Sequence, residues 1–569
     1  MNDKKKILIA TAFPTHGAGS GALVTTQSKS YEEVGHEVVI ITGNNRTDFD
    51  KLDGVRYHVV PFTAESDNPE KIDGQVPFNY LMFTTHTEST ANFWNIGLGE
   101  LEEYCKAFKS ALSEEVENFN PDVIHAQHNW LLSSSATEMG KPVVTTIHGT
   151  DLMGYEKSKQ KLSEVLHKLD VIKKSEKISL NDLNKIEEIY NRSNSYSEIT
   201  RELDALLSSN DFSISENLLN ELKSIYDEKK KYEFYISEAE KSARNSEKII
   251  VISDAQKEKF SSLFPFAEDK VELLENGYDP KTFYVNKNVN KEEVFASLTS
   301  DRTRDGKIRT DYDKLILFVG KFADFKGIDS LLSAAKMYEF SLIEQHLKPL
   351  TIIVGSGALE SKLKAQADEL NLRNVHFVGR QPHDVICNLQ NLADVSVIPS
   401  RNEPFGLVVI EGTACGHPVI GSNSGGIPGI LNTKKEKLPD DDIIKTDLGV
   451  LIRPLPERPS RLPDPQKDIL DKYTSKYLVY DIDVKESILS RASNELAVSV
   501  SDLNDYFEDY GESTRALSNS VVKICTGEFK FDNNKIAEYT KTNYEQPVIR
   551  EKLIGIFDDA INIHNQKNK

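Results

Sequence analysis

The sequence has 569 residues and a formal net charge of −20 at pH 7, with 28% of its residues charged. So acidic a chain is not expected to bind nucleic acid or a polyanionic membrane surface, because like charges repel. The hydrophobic fraction of 38% is that of a globular protein, and no stretch is long and apolar enough to predict a transmembrane segment. This length allows two large domains with insertions.

The N-terminus and the cysteines favour a cytoplasmic protein. The first residues are basic, but the apolar run behind them is short and merges with a strand pattern, unlike a signal peptide. The four cysteines are far apart in sequence and form no metal-binding or redox motif: Cys105, Cys387, Cys415 and Cys525. We therefore expect a reducing compartment.

The first elements are typical of a nucleotide-binding domain. Residues 6–12 predict a strand, 13–21 a glycine-rich loop, 22–33 a helix and 38–42 a second strand. This order is that of a Rossmann-like opening. The glycine spacing is not G-x-G-x-x-G, so a dinucleotide cofactor is not predicted.

Three further strands are predicted in this half, at 55–61, 122–126 and 143–148. A helix is expected at 99–119. The aromatic, polar stretch 78–94 has no clear period, and we interpret it as loops over an acceptor cleft.

Histidines follow two of these strands. His125 and His128 come at the end of one, and His148 begins the sequence His-Gly-Thr-Asp after the next. A single histidine at a strand end is more often structural, but the Gly-Thr-Asp151 continuation favours a functional His148. His125 and His128 lack a third ligand, so no metal site is predicted.

Residues 155–242 are rich in Lys, Glu, Ser and Asn, with apolar residues at helical spacing. They predict two to four helices forming an insertion in the first domain. The insertion could contact an acceptor, a partner or a second copy of the chain, although a structural role without chemistry is favoured. Strands resume at 249–253 and 271–274, and the polar stretch 285–314 is interpreted as the linker between domains.

The second domain is predicted to open with the apolar strand 315–319, followed by Lys321 and then by Lys326 before a helix. Two lysines at such a turn are, taken alone, more often solvated. Strands are also expected at 351–355 and at 375–379, the latter followed by Arg380.

Residues 395–429 carry the strongest signal. A buried strand, 395–398, leads through a loop to a helix at 407–415 and then to another strand. The amides of Phe405, Gly406 and Leu407 would lie at the helix N-terminus, where a phosphate binds well. Glu411 could accept hydrogen bonds from a vicinal diol such as a ribose, and Glu403 would face groups attached to the phosphates.

The last part of the chain is predicted to finish the sheet at 449–454 and to close with helices over 517–563. Between them, residues 455–512 are rich in proline and acidic residues, and we predict irregular structure there without a function.

The stretch from Glu403 to Glu411, EPFGLVVIE, resembles the E-x-F-G-x-x-x-x-E signature of retaining glycosyltransferases with the GT-B architecture, in particular glycosyltransferase family 4. Gly425 and Gly426 begin a following G-G-x-P motif; Gly429 then stands where the family usually has glutamate. The resemblance implies an α/β fold of two Rossmann-like, doubly wound parallel-sheet domains facing a cleft. We place them at 1–290 and 291–545, with a C-terminal helix, 546–569, crossing back to the first domain.

The resemblance also implies roles for single residues. Lys321 and Lys326 match the two cations of G-R-x-x-x-x-K-G that clamp the donor diphosphate, with lysine in place of arginine at the first. His148 matches the H-G-x-D histidine that faces the transferred sugar. Gly19 matches a glycine near the donor phosphate, and Arg380 lies where the main chain of the family holds the nucleobase.

Together these matches imply transfer of a hexose-type sugar from a nucleoside-diphosphate sugar, most commonly UDP-linked, to a hydroxyl of a saccharide, small molecule or lipid head group. Retention would follow from attack on the same face of the sugar. His148, Lys326 and Glu403 would be the catalytic residues. Neither a metal nor another cofactor is expected, because lysines and helix amides neutralise the leaving diphosphate.

Two alternatives stay open at this point. The chain could be a catalytically inactive GT-B subunit that binds a glycosyltransferase partner, which the helical insertion would allow. Less favoured is a glycoside hydrolase that uses Glu403 and Glu411 as its carboxylate pair.

Overall fold

The computed structural model describes residues 4–15, 19–46, 49–63, 76–84, 89–175, 178–209, 214–303, 305–456, 466, 469–471, 473–474 and 482–569. The chain divides into two compact units. The N-terminal unit comprises Met1–Ile252, Gln256–Leu274 and Arg550–Lys569, and the C-terminal unit comprises Ser253–Ala255 and Glu275–Ile549.

The N-terminal unit is built on a seven-stranded sheet in the order β3-β2-β1-β4-β5-β6-β7, with each strand parallel to its neighbours. The strands are β1 Lys6–Ala10, β2 Glu37–Asn44, β3 Arg56–Pro61, β4 Val123–Gln127, β5 Val143–Thr146, β6 Lys248–Val251 and β7 Val271–Leu273. The central strands are buried because helices cover both faces of a parallel sheet, and this explains their continuous apolar runs. The order 3-2-1-4-5-6 is that of a Rossmann-like sheet, as predicted.

Eight α-helices precede β7 in the described part of the chain: α1 Gly19–Glu32, α2 Leu98–Asn118, α3 Leu131–Ala136, α4 Thr150–Lys174, α5 Leu180–Arg192, α6 Tyr196–Leu207, α7 Glu216–Asn245 and α8 Asp254–Leu263. Helix α1 begins at Gly19, three residues before the predicted start. The remainder of the predicted glycine-rich loop includes residues 16–18, which lie outside the described residues.

The predicted helical insertion, 155–242, is formed by α4 to α7. Serine side chains cap three of these helices: Ser179 accepts from the Asp182 amide, Ser195 from that of Glu198 and Ser215 from that of Leu218. Most of the apolar residues at helical spacing pack into the same hydrophobic core as the sheet, whereas Leu166 is exposed. The insertion is therefore a packed layer of the N-terminal unit.

The aromatic stretch 78–94 differs from the prediction of loops over an acceptor cleft. Tyr80 and Phe93 are fully buried, and the Phe83 ring packs against Phe93 and Trp130 at 4.9 and 5.2 Å between centroids. The absence of a regular period reflects irregular backbone whose aromatic side chains fill the core. Residues 85–88 lie outside the described residues.

The C-terminal unit has a second seven-stranded sheet in the order β10-β9-β8-β11-β12-β14-β13. Its strands are β8 Lys314–Val319, β9 Pro349–Val354, β10 Val375–Phe377, β11 Val395–Ile398, β12 Val419–Ser422, β13 Ile443–Lys445 and β14 Gly449–Ile452. All pairings are parallel except that of β13 with β14.

Helices again cover this sheet. In chain order they are α9 Lys291–Ser297, α10 Ile328–Glu344, α11 Glu360–Glu369, α12 His383–Leu392, α13 Leu407–Ala414, α14 Ile427–Leu431, α15 Ile482–Leu496, α16 Val500–Cys525, α17 Asn533–Tyr544 and α18 Gln546–Lys567. Among the described residues, none of the helices combines the length and apolar character needed to cross a membrane.

Two predictions about the connecting segments were wrong. The proposed linker, 285–314, contains α9, capped by Asn290 and anchored by the buried Val294 and Phe295. Segment 455–512, predicted to be irregular, contains α15 and most of α16, which share their own hydrophobic cluster. Acidic residues between the apolar ones hid the helical period of both segments.

The last helix, α18, falls within the predicted 546–569 segment. From Arg550 onwards it belongs to the N-terminal unit, where Lys5 pairs with Asp558 at 2.5 Å and Phe557 packs against Tyr31 and His125. Lys567 also pairs with Glu247 at 3.5 Å, so ion pairs and a buried aromatic ring together hold α18 to the N-terminal unit.

Candidate active site

The C-terminal unit brings two predicted residues into direct contact. Lys326 Nζ donates to Glu403 Oε2 at 2.5 Å, and the Ser400 hydroxyl donates to the same oxygen at 3.2 Å. Lys326 follows β8 and Glu403 follows β11. These strands are parallel neighbours, so their following loops meet at the carboxyl edge of the sheet, where ligands bind in such folds.

Glycines let these loops approach closely. A Cβ on Gly327, which has a φ of +66°, would lie 2.0 Å from the Pro399 carbonyl oxygen. A Cβ on Gly425 would lie 2.2 Å from the Glu403 carbonyl oxygen, which also accepts from the Gly426 amide at 2.7 Å. The two glycines of the G-G-x-P motif therefore pack directly against the backbone of Glu403.

Helix α13 begins directly after this loop. Gly406 has a φ of +108°, a conformation that permits the sharp entry into the helix at Leu407. The first amides of a helix have no acceptor within it, and they lie at the positive end of the helix dipole. Phe405 is buried, so the backbone of residues 405–407 is held against the core. This end of α13 can bind an anionic group.

Glu411 lies in the second turn of α13 and is partly buried. Burial raises its pKa to about 7, whereas the positive charge of Lys326 lowers it. A carboxyl group that titrates near neutrality can accept or donate hydrogen bonds, which suits binding of a diol.

Two further cations lie in loops that follow strands of this sheet, Lys321 after β8 and Arg380 after β10. Lys321 is exposed, and both partial burial and the charge of Arg380 lower its pKa. Arg380 Nε donates to the Ser356 hydroxyl at 2.7 Å. Like charges repel, so an anionic ligand that binds both Lys321 and Arg380 would relieve this repulsion.

The N-terminal unit presents a different chemistry. His148 Nε2 donates to Gln127 Oε1 at 2.8 Å, and the Gln127 amide nitrogen lies 3.2 Å from His125 Nε2. Burial and, to a smaller extent, His128 lower the pKa of His148 to about 3, against an opposing effect of Asp151. The imidazole of His148 is therefore neutral at pH 7, with Nε2 protonated and Nδ1 as an acceptor.

Asp151 holds this histidine in place. One of its oxygens accepts from the amides of Gly149 and His148 at 2.8 and 3.3 Å, and the other accepts from the Asn129 amide at 2.8 Å. His128, at a φ of +70°, packs against His148 with ring centroids 4.5 Å apart and the rings tilted by 40°. The His-Gly-Thr-Asp sequence thus forms a turn in which Asp151 links the residues that follow β4 to those that follow β5.

The structure adds residues that the sequence did not single out. Gln127 was missed because a glutamine at the end of a strand carries no signal by itself. Ser400 was read only as part of a loop. Among the described residues, no group of three metal-ligating side chains is found, and His125 instead accepts from Thr146 Oγ1 at 2.8 Å.

Gly19 remains a prediction. It is the first residue of α1, and the preceding residues 16–18 lie outside the described part of the chain. Gly21 has the clearer structural requirement, because a Cβ there would lie 2.6 Å from the Pro14 carbonyl oxygen.

Residues 300–439 match the family described as "Glycosyl transferases group 1". The chain is 36% identical over 184 residues to an uncharacterized glycosyltransferase of Methanocaldococcus jannaschii, which covers 32% of this chain and 44% of that protein. It is 38% identical over 114 residues to the D-rhamnosyltransferase WbpZ of Pseudomonas aeruginosa, covering 20% and 28% of the two chains. The matched stretches thus span less than half of these relatives.

Two solved structures resemble the whole chain. Sucrose-phosphate synthase from Thermosynechococcus elongatus superposes with a TM-score of 0.51 at 15% identity, covering 98% of this chain and 100% of that one. A glycosyltransferase from Rickettsia africae gives a TM-score of 0.50 at 14% identity, covering 98% and 99%. At these identities the likeness shows the fold alone, and the predicted GT-B fold is confirmed.

Proposed function

We propose that this chain, which has a GT-B fold, is a group 1 glycosyltransferase. We propose further that it transfers a hexose-type sugar from a UDP-linked donor to a hydroxyl acceptor with retention of configuration. The observation that carries the proposal is the contact of Lys326 with Glu403 beside the N-terminus of α13. This arrangement lies within the residues that match the family.

The proposed role of the C-terminal unit is to stabilise the leaving diphosphate. Negative charge grows on the diphosphate as the bond to the sugar breaks, and fixed cations and amides that face this charge lower the barrier. Lys321, Lys326 and the amides of residues 405–407 are the groups assigned to this task. Loss of one such donor commonly costs about 3 kcal/mol of barrier.

Glu403 is assigned to the sugar. In the described structure its carboxylate is shared between Lys326 and Ser400. A bound phosphate would compete for Lys326, and Glu403 would then accept hydrogen bonds from sugar hydroxyls and orient the ring. Glu411, one helical turn further on, is assigned to the ribose diol, and Arg380 and Gly19 to the remaining donor contacts.

His148 is assigned to orienting the sugar or the acceptor. Because it is neutral at pH 7, it can accept a hydrogen bond at Nδ1 but cannot act as a cationic acid. The acceptor proton is proposed to pass to the leaving phosphate oxygen on the face from which the diphosphate departs. This scheme uses no cofactor, and its acceptor is a saccharide, small molecule or lipid head group.

The first test is thermal unfolding with UDP, ADP and GDP. A ligand that binds only the folded state at 100 times its Kd adds about 2.7 kcal/mol, so a true ligand raises the melting temperature. UDP is expected to give the largest rise. The wild-type chain is then assayed for product with UDP-glucose, and Glu403→Gln is expected to abolish transfer.

The outcomes separate the candidate functions. Nucleotide binding without transfer over a panel of acceptors would favour an inactive binding subunit. Transfer that Glu403→Gln leaves intact would refute the assigned site. A larger rise with ADP or GDP would change the donor base and leave the rest of the proposal standing.

A further inference from the structure

Arg401 lies two residues before Glu403, and its side chain points away from solvent. Only 7% of this side chain is exposed. Its two terminal nitrogens donate to the two carboxylate oxygens of Asp329 at 3.0 and 2.7 Å. This is a bidentate ion pair, the geometry in which an arginine is held most firmly.

The same residue also bonds to the loop that carries Lys326. Arg401 Nη1 donates to the Asp324 carbonyl at 2.7 Å, and the Arg401 amide donates to the Phe325 carbonyl at 2.7 Å. Asp324 and Phe325 immediately precede Lys326. Arg401 therefore joins the two loops on which Lys326 and Glu403 stand, within two residues of each.

Asp329 has a further partner from a distant part of the sequence. The Tyr510 hydroxyl donates to Asp329 Oδ2 at 3.1 Å, and Tyr510 belongs to α16. Its ring is buried in the small hydrophobic cluster that α15 and α16 share, next to Leu503 and Phe507. Segment 455–512, which was predicted to be irregular, thus contacts the ion pair that joins the loops of Lys326 and Glu403.

We propose that Arg401 and Asp329 are positioning residues of the donor site and that Tyr510 connects the α15–α16 helices to it. The expected change in kcat rests on the proposed function. The expected support of the two loops rests on the contacts alone. Arg401 sets the distance between the lysine and the glutamate that receive the donor, and Tyr510 keeps Asp329 oriented toward Arg401.

A buried ion pair is a costly way to gain stability, because removing both charges from water offsets much of their attraction. Its advantage is geometric, since a planar guanidinium bonded to one carboxylate and one backbone carbonyl allows little displacement. Lysine at position 401 keeps the charge and loses the bidentate geometry, so Arg401→Lys tests positioning rather than charge.

The first experiment measures hydrogen exchange in the full chain without ligand. Arg401→Lys is expected to speed exchange in residues 321–327 and 402–407 together, because both loops lose one support. Arg453→Lys is the matched control: Arg453 pairs with Asp442, Asp509 and Glu512, so it also holds α16 but bonds to neither loop. Faster exchange in only one loop, or the same change in the control, would overturn the inference.

The second experiment measures kcat, KM for the UDP-sugar and Kd for UDP. A displacement of about 1 Å at a reacting group can cost roughly 100-fold in rate, and we expect Arg401→Lys to lower kcat by about this factor. Tyr510→Phe removes one hydroxyl and is expected to lower kcat by about 2- to 30-fold, the range found for residues along a coupled network. Arg453→Lys should leave kcat unchanged.

If Arg401→Lys does not fold, hydrogen exchange and kcat of Tyr510→Phe test the inference instead.

If Arg401→Lys does fold, the double variant with Tyr510→Phe is also measured. Should the two effects on kcat multiply independently, Tyr510 does not act through Arg401 and that part of the inference is wrong. If the wild-type chain neither binds UDP, ADP or GDP nor transfers a sugar, the proposed function fails. The exchange result still decides whether Arg401 holds the two loops.

Discussion

The two units hold their candidate residues by different physical means. In the C-terminal unit, charged groups pair with each other: Lys326 with Glu403 and Arg401 with Asp329. In the N-terminal unit, His125, His128 and His148 are neutral because burial lowers the pKa of each to about 3. The contrast suits the proposed roles, in which charged groups of the C-terminal unit bind the donor and the neutral His148 of the N-terminal unit orients the sugar or the acceptor.

The two units should also respond differently to substitution and to acid. Removing one partner of a buried ion pair destabilises the folded state, because the remaining ion is left poorly solvated. A buried cluster of neutral histidines is destabilised as the pH falls, because a charged imidazole is unfavourable in a buried site. Substitutions of paired charges should therefore act mainly on the C-terminal unit, and acid mainly on the N-terminal unit.

The largest effect is expected from acid. His125, His128 and His148 bind fewer protons when folded than when unfolded between about pH 6.5 and pH 3. Their stabilising contribution is therefore complete above pH 6.5 and is lost as the pH falls, by about 1.4 kcal/mol per pH unit for each histidine. Both tryptophans, Trp94 and Trp130, lie in this unit, so acid unfolding followed by tryptophan fluorescence reports on it alone.

His128→Phe keeps an aromatic ring beside His148 and removes one titrating group. We expect it to move the acid midpoint of the tryptophan signal to lower pH. His167→Phe, at an exposed position of α4, is the control and should not move it. An unchanged midpoint in His128→Phe would show that the cluster does not govern acid stability.

The next largest effect is expected at Lys326. Lys326→Met removes the cation and leaves the buried Glu403 with Ser400 as its remaining polar partner among the described contacts. We expect kcat/KM for sugar transfer to fall by about 10²- to 10³-fold, the usual cost of losing a donor that stabilises developing charge. Lys336→Met, at an exposed position of α10, should transfer sugar at the wild-type rate.

Glu411 should show a conflict between stability and binding. Because its pKa is raised to about 7, the folded state binds more protons than the unfolded state between about pH 4.5 and 7, and stability falls as the pH rises through this range. Glu411→Gln is expected to stabilise the unliganded chain by about 1–3 kcal/mol at pH 8 and to weaken UDP binding. Denaturant titrations at pH 8 and pH 4.5 measure the first effect, which should vanish at the lower pH.

Glu344→Gln, an exposed substitution in α10, is the control for that experiment and should change neither quantity. If Glu411→Gln stabilised the chain and bound UDP normally, the carboxylate would have no part in holding the nucleotide.

The smallest effect is expected at Ser400. Ser400→Ala removes one hydrogen bond to Glu403 and keeps the Lys326 contact, which should cost about 1 kcal/mol, or roughly fivefold in kcat/KM. A loss as large as that of Lys326→Met would mean that the serine, rather than the lysine, orients Glu403, and the comparison between the units would need revision.

Much of the fold could be predicted because each element carries its own local signal. The strands around Leu8 and Leu317 are continuous apolar runs bounded by polar or glycine-rich turns, and both are strands in the structure. The helices of 155–242 could be predicted from the helical spacing of their apolar residues. Residues 455–512 were mispredicted because the apolar face of α16, with Leu503, Phe507 and Tyr510, lies among many acidic residues.

The candidate residues were identifiable wherever a motif joined them within a few positions, as for Glu403 and Glu411. Gln127, Ser400 and Arg401 were not identifiable, because their importance depends on which other strands end beside them. Lys326 and Glu403 are 77 residues apart in sequence, and their contact follows from β8 and β11 being neighbours in the sheet.

The sequence by itself determined the fold class, the alternation of strands and helices, and the residue types available to a phosphate and a sugar, because these depend on short-range periodicity and on motif spacing. The tertiary structure alone decided which charges are paired, which histidines are neutral and which distant tyrosine supports the donor loops. Pairing and pKa depend on burial and on distances of a few ångströms. Those quantities are set only when segments far apart in the chain pack together.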